Sequence, residues 1–483
     1  MMPVPDLSPA LPELFLAVAA MALMMVGVFR ADRTSAVVSW LSVLALIVDF
    51  VLVERGPASR TVTFSGMFVT EQFAVFMKSL ILIGSAVSIV MARQFNERAK
   101  VDRFEFPILI LFATIGMMAM VSANDLISLY VGLELQSLSL YVLAAFKRDT
   151  VKSTEAGLKY FVLGALSSGM LLFGSSWIYG FAGTTNFDQL AKLLSTDAGT
   201  SSIGLIIGVV FLSVGIAFKC SAVPFHMWTP DVYEGAPTPV TSFFAVGPKI
   251  AALSLFLRVM IEPLGHLAHQ WQQIIWAISL ASMVLGSYAA INQANIKRLM
   301  AYSSIGHVGY ALIGLAAGTT DGVRGVLIYL AVYLFMSLGA FSVILCMERR
   351  GEPVEEIADL AGLSKSQPLT AAALAVFMFS MAGVPPLAGF VPKFIIFMSA
   401  IHAGLIWLAV FGVLASVVGC YYYIRIIKMM YFDNPAEALD TSAGGGAVRA
   451  VMALTTLVIL LFILIPAPLL STAEAAAASL FQG

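Results

Sequence analysis

Long apolar runs, cut at near-regular intervals by short polar or Gly/Pro clusters, dominate this sequence. Windows of roughly 20 apolar residues, the length a helix needs to cross bilayer hydrocarbon, fall at 11–29, 36–53, 73–92, 106–122, 125–146, 156–180, 201–229, 237–259, 272–292, 299–317, 322–347, 369–403, 405–432 and 448–470. The pattern predicts an all-α, polytopic membrane protein of about 14 transmembrane helices. The 201–229 and 369–403 segments are long and interrupted by proline. A proline removes one helical hydrogen bond, so each segment is expected to hold a break or a re-entrant piece. The longest connection, 348–368, is too short for a separate soluble domain. Residues 441–447 read as a flexible linker, and the Ala-rich 471–483 as a short surface helix.

Composition agrees with lipid as the solvent: 60% of residues are hydrophobic and 11% are charged, against about a quarter charged in soluble domains. With the first residues outside, the inner connections and helix ends collect most of the Lys and Arg, from Arg30 and Arg33 through Lys147 and Arg148 to Arg449. The outer ones keep only Arg55, Arg60, Lys192, Arg258 and Arg324. That asymmetry follows the positive-inside rule and supports both the span count and an N-terminus on the periplasmic side. No Lys or Arg precedes Arg30, so the first apolar stretch lacks the basic flank of a signal peptide and reads as a retained helix.

The net charge of −1 gives no reason to expect a nucleic-acid partner. Cys220, Cys346 and Cys420 sit apart in apolar stretches, so neither an iron–sulfur centre, a zinc site nor a disulfide framework is expected. Neither GxGxxG nor a Walker-type phosphate loop occurs. The many Met and Phe residues read as helix packing. No cofactor is expected on this chain.

The chemistry lies in ionisable residues at mid-membrane depth, where a charge costs roughly 2.5–3.5 kcal/mol on insertion scales and so needs a partner, water or a task. Glu134 lies mid-span in VGLELQS; its readings are a neutral carboxyl bonded to a neighbouring helix, or a proton relay. Lys219 sits too deep to snorkel and shortly precedes Pro224; Lys249 is centred in its span; Lys393 follows a second proline break. Desolvation disfavours an ammonium, so each of these lysines is able to pass a proton at neutral pH, with bound water completing the wire. His307 and His226 each have two readings, relay or satisfied packing. Lys159, one turn inside its span, either snorkels to the inner surface or serves the path. Lys78 and Asp49, near the outer ends of their spans, read as a snorkelling lysine and a surface-capped carboxylate. An internal repeat links SAVPF at 221–225 with AGVPP at 382–386, five helices later. An odd offset reverses direction in the membrane and makes the halves an inverted pair.

The stretches VGLELQSLSLYVLA (131–144), FKCSAVPFHMWTPDVYEGAPTPVT (218–241), NIKRLMAYSSIGHVGY (295–310) and AGVPPLAGFVPKF (382–394) resemble the antiporter-like subunits of respiratory complex I, the proton-pumping NADH:quinone oxidoreductase. The resemblance covers essentially all of residues 1–470. It is nearest the subunit N type: the chain lacks the long lateral C-terminal helix of subunit L, and Lys393 stands where subunit M usually has glutamate.

This resemblance implies two inverted five-helix repeats with broken helices. Residues 1–105 would hold helices 1–3, 106–260 the first repeat, 261–432 the second, and 433–483 the linker, helix 14 and tail. It implies a Glu134–Lys219 pair, Lys249 as central relay and Lys393 as terminal one, with Lys159 and His307 supporting; His226 joins the supporting residues by its place near the inner end of its span alone. It further implies a proton-translocating subunit of a bacterial inner-membrane complex. NADH, FMN, Fe–S clusters and quinone would sit on other subunits, and subunit M and small membrane subunits would be its neighbours. The competing readings are a subunit of a Mrp-type Na+/H+ antiporter, and a structural subunit whose charges only tie helices together.

Overall fold

The computed structural model describes residues 6–30, 35–57, 59–195 and 202–482. Arg33, counted among the inner charges, and Gly483 of the tail lie outside the described residues. Three N-terminal helices, α1 (Leu11–Arg30), α2 (Ser35–Glu54) and α3 (Gln72–Arg98), are followed by α4 (Glu105–Val121), α5 (Leu126–Ala144) and α6 (Val151–Ala182). A surface helix α7 (Phe187–Leu194) leads to α8 (Ile203–Cys220), the short α9 (Trp228–Gly235) and α10 (Thr238–Ile261). Then come α11 (Ala268–Ile291), α12 (Ile296–Ala317), α13 (Thr320–Ile344), α14 (Pro368–Ala382), α15 (Phe390–His402), α16 (Ile406–Phe432), α17 (Gly445–Leu461) and α18 (Ala467–Leu480). A small hairpin of β1 (Thr61–Thr63) and β2 (Phe68–Thr70) closes one loop.

Among the described residues, 11 helices are long and apolar enough to cross a membrane, with four shorter apolar ones. Because α14 and α15 are the halves of one span, the crossings come to the fourteen expected. Helices apolar on every side face lipid or the core of a large bundle. Here α10, α12 and α13 are buried almost all round, and α1 and α6 lie at the periphery. The Ala-rich tail is a helix as expected, but α18 buries Ala473, Ala476, Ala477 and Leu480 against α3 and α13.

Contacts between connections fall into two separate sets, as fourteen alternating crossings require. On the face where α1 begins, designated outer, Asn124 bonds Asp188 and Gly66, and Arg60 pairs with Asp188. On the other face Ser35 bonds Asp102 and Arg98 pairs with Glu348.

The two repeats share backbone detail. Asp125 caps the N-terminus of α5 and Asn295 that of α12, each side chain accepting amide hydrogens of the first turn. The flanking chain then receives a returning loop through the same bonds: Leu126 N–H to Thr185 O and Phe187 N–H to Asn124 O in the first repeat, Ile296 N–H to Glu355 O and Ile357 N–H to Ala294 O in the second.

The breaks match as well. Helix α8 ends on Ser221 and α14 on Gly383, both left-handed, with φ of 65° and 83°. The next amide reaches back to the same turn in each, Ala222 to Ala217 O and Val384 to Phe379 O. Five crossings separate the copies, so they run in opposite directions. The break expected within 201–229 is present: the helix stops at Cys220, four residues ahead of Pro224, and restarts at Trp228.

A buried line of lysines and hydroxyls

The last turn of α8 carries Lys219 into the interior, where its ammonium donates to Ser137 Oγ of α5 at 2.8 Å and to the Tyr141 hydroxyl at 3.4 Å. Glu134, Ser137 and Tyr141 share one face of α5 at helical spacing. Glu134 is half-buried, and its Oε1 is shielded from solvent with no hydrogen-bond partner. The Glu134–Lys219 pair implied by resemblance is therefore not a direct ion pair: the ammonium bonds hydroxyls, while the carboxylate acts on it through space.

Lys249, next to Pro248 inside α10, donates to Ser304 Oγ of α12 at 2.8 Å and lies 5.4 Å above the Tyr233 ring. The adjacent Ser303 shares a 2.5 Å hydrogen bond with the Tyr423 hydroxyl of α16. Tyr423 also reaches His307 Nε2 at 3.0 Å, and His307 Nδ1 meets the Tyr329 hydroxyl at 2.5 Å. The charges of both Lys393 and Lys249 bear on this imidazole.

Lys393 completes the line. Its ammonium donates to the carbonyls of Met381 (3.0 Å) and Ala382 (3.1 Å) and to Ser416 Oγ (3.1 Å), 4.8 Å above the Tyr310 ring. The C-terminal carbonyls of a helix carry partial negative charge and lack helical partners, so a cation is stabilised there. In the first break the indole of Trp228 takes the corresponding role, donating to Phe218 O at 3.1 Å. Lys219, Lys249, His307 and Lys393 are all buried.

Other sequence candidates lie elsewhere. Lys159 is at the inner face, paired with Glu155 and Asp231 at 2.7 Å each. Arg298 bridges Asp231 (2.8 Å) and Glu234 (3.0 Å) in the same cluster, and Lys152 joins Glu234 at 3.1 Å. Burial pushes the Asp231 carboxyl up, but hydrogen bonds from Lys159 and Arg298 outweigh it and hold it below its ordinary range. Glu234 is likewise held low by Lys152 and Arg298 against the opposing effect of burial. His226 stays half-buried in the first break, with Nδ1 unbonded.

Two sequence readings are overturned. Lys78 does not snorkel and Asp49 is not surface-capped: both are buried, because the helical faces bearing them turn inward among α1, α2 and α3. Arg258, counted as an outer-loop charge, is wholly buried and bonds Glu71, Glu262 and Val121 O. Its signal was present in the four-residue spacing to Glu262 at the end of a span. The hydroxyls of Ser137, Ser303, Ser304, Ser416, Tyr329 and Tyr423 went unread. Their trace in the sequence is weak, although Ser303 and His307 stand one turn apart.

A family model described as "NADH:quinone oxidoreductase/Mrp antiporter, TM" matches residues 123–419. The NADH-quinone oxidoreductase subunit N of Rhodospirillum rubrum is 60% identical, covering 98% of this chain and 97% of its own length. The chain belongs to the NADH-quinone oxidoreductase subunit N family. The structure of respiratory complex I from Thermus thermophilus with bound aureothin contains a chain similar to this subunit-N-type protein at a TM-score of 0.81 and 31% identity, over 95% of this chain and 98% of that one. A chain of the Mrp complex from Dietzia is similar at a TM-score of 0.82 but 23% identity, over 98% and 97% of the two chains. That likeness speaks for the fold alone. As a subunit N family member the chain is a multi-pass membrane component of a respiratory translocase, and its partners are other membrane subunits of that complex.

Proposed function

We propose that this subunit moves protons along Glu134, Lys219, Lys249, His307 and Lys393, driven by quinone reduction elsewhere in the complex. The observation that carries the reading is that three buried ammonium groups, each seated on a hydroxyl, recur through both repeats, two of them at the helix breaks, with the His307 imidazole feeling the charges of Lys249 and Lys393. A lysine bonded to a hydroxyl can release its proton without leaving an anion stranded in low dielectric. Both breaks leave backbone groups unpaired where water and side chains enter. His226, in the first break, and Lys159, in the inner ion-pair cluster, support the path at its inner approach.

In this reading the half-buried Glu134 senses the change in field beside the uncovered side of α5, where Val131 and Leu138 are exposed, and a neighbouring antiporter-like subunit M or small membrane subunit covers that side. The chain itself does no redox chemistry; NADH, FMN, iron–sulfur clusters and quinone belong to other subunits. Its setting is a bacterial inner membrane, with the outer face periplasmic and the four-part division of the chain at residues 105, 260 and 432.

Replacing Lys219 or Lys249 by alanine tests the assignment in inverted membrane vesicles. Coupled proton uptake is expected to fall at least tenfold, about 1.4 kcal/mol of barrier, while NADH oxidation with an artificial electron acceptor persists. Uptake unchanged in both variants would remove the assignment.

A further inference from the structure

Outside that line, a second group of ionisable side chains is buried together, in the N-terminal three-helix unit. Lys78 of α3 pairs with Glu13 of α1 at 2.6 Å, and the two side chains are 2% and 10% exposed. Asp49 of α2 is wholly buried, and neither of its carboxylate oxygens has a hydrogen-bond partner. Both Glu13 and Lys78 act on Asp49 through space. Two carboxylates against one ammonium leave one excess negative charge in a region of low dielectric, which is not tolerated without a neutralising partner.

Among the described residues no neighbouring element supplies that partner. Helix α2 packs on α1, α3 and α4. The ionisable groups facing Asp49 from α1 and α3 are Glu13 and Lys78; Glu105, the one ionisable residue of α4, lies at its opposite, inner end. On α2 itself, Glu54 further out is engaged by Ser79 Oγ at 2.6 Å. A metal ion would need a shell of several oxygens. Among the described residues no three metal-ligating side chains converge, and the Lys78 ammonium would repel it.

A path from outside exists. A cavity of about 460 Å³ between the outer helix ends is lined by Ser8, Arg55, Thr61, Thr70 and Lys78, the one member of the triad on its wall. The depth is modest: Glu13 is in the first turn of α1 and Lys78 in the second of α3.

We propose that Asp49, Glu13 and Lys78 form a second proton-holding site, separate from the lysine line, which fills and empties through this outer cavity. Cavity water re-protonates Lys78 as a proton from its ammonium, which is not bonded to Asp49 here, reaches an Asp49 carboxylate oxygen through an intervening water; the reverse sequence returns it. The net change is one O–H bond formed on Asp49 and one proton taken from the outer phase.

Infrared difference spectroscopy of the purified complex tests this, with a Glu134→Gln variant as background reference. The wild type is expected to show a protonated-carboxyl C=O band at neutral pH that shifts in D2O and is lost in Asp49→Asn. Lys78→Met removes the nearby cation and should move its titration to higher pH, whereas Glu13→Gln removes the excess charge and should move it to lower pH. These opposite shifts decide the matter even where Asp49→Asn fails to assemble. A band absent at neutral pH, indifferent to Lys78→Met and Glu13→Gln, or abolished by added sodium at constant pH would overturn the proposal.

Discussion

In the proposed path Lys393 has two roles that substitution can separate. Its ammonium satisfies the carbonyls of Met381 and Ala382 at the broken end of α14, so Lys393→Ala leaves the Met381 carbonyl buried and unpaired, at roughly 1–3 kcal/mol, and the Ala382 carbonyl with Cys420 Sγ at 3.5 Å. Arginine keeps the cation but does not release its proton. Lys393→Arg is therefore expected to assemble on native gels and yet fail in proton uptake by vesicles, whereas Lys393→Ala loses part of both. Gly383 is constrained by the same site: its φ is +83°, and an added Cβ would lie 2.9 Å from Lys393 Cδ. Depth along the chain made Glu134, Lys219, Lys249 and Lys393 legible in the sequence, because a charge inside an apolar window is conspicuous. Which way a side chain faces is not written there. Hence Lys78 and Asp49 read as surface groups, and the serine and tyrosine partners, unremarkable in any helix, were invisible.

Among the helices, α3, α4 and α10 are locked at their outer ends by Arg258, whose guanidinium bonds Glu71 before α3, Glu262 after α10 and the last carbonyl of α4. Removing one partner of a buried charge group strands the others, typically at 3–5 kcal/mol. Arg258→Ala is expected to lower the thermal midpoint of the complex, or its yield, with no change in the pH profile of the pumping that remains; calorimetry and vesicle assays read these separately. Most spans were plain in the sequence to within a few residues, since lipid demands long uninterrupted apolar helices; 448–470 was too long, because α17 ends at Leu461 and α18 already begins at Ala467, and 73–92 stopped short of Arg98 at the end of α3. The exact form of the breaks was not plain. Proline announces that a helix stops nearby, but the turning residue in the first break is Ser221, three positions earlier, and nothing in its type gives that away. The second break divides what reads as one apolar stretch into α14 and α15.

Across the whole molecule, the two repeats meet at the inner face through Asp231 and Glu234 of α9, which hold Lys152 and Lys159 of the first repeat and Arg298 of the second. Both carboxyls titrate below their ordinary values of 3.8 and 4.5. A lowered folded-state pKa contributes stability that is present above the ordinary value and lost as pH falls through the folded one. Thermal stability is thus expected to drop in acid below about pH 4, and Asp231→Asn to flatten that limb while lowering the plateau at neutral pH. The groups are about a third exposed, so the effect is small and weakens further in salt. The internal duplication left only a short trace in the sequence, SAVPF against AGVPP. The features that establish it, the matched caps and returning loops, are largely backbone hydrogen bonds that different side chains support equally well.

The lysines of the interior rest on Ser137, Ser304 and Ser416 rather than on carboxylates. A full ion pair at that depth would be a deep well, its occupant slow to leave. A hydroxyl seat is shallow and direction-neutral, since the same oxygen donates or accepts as its neighbour changes state. Proton traffic over such seats, as proposed, would have no preferred heading of its own, and its sense would be imposed from beyond the chain.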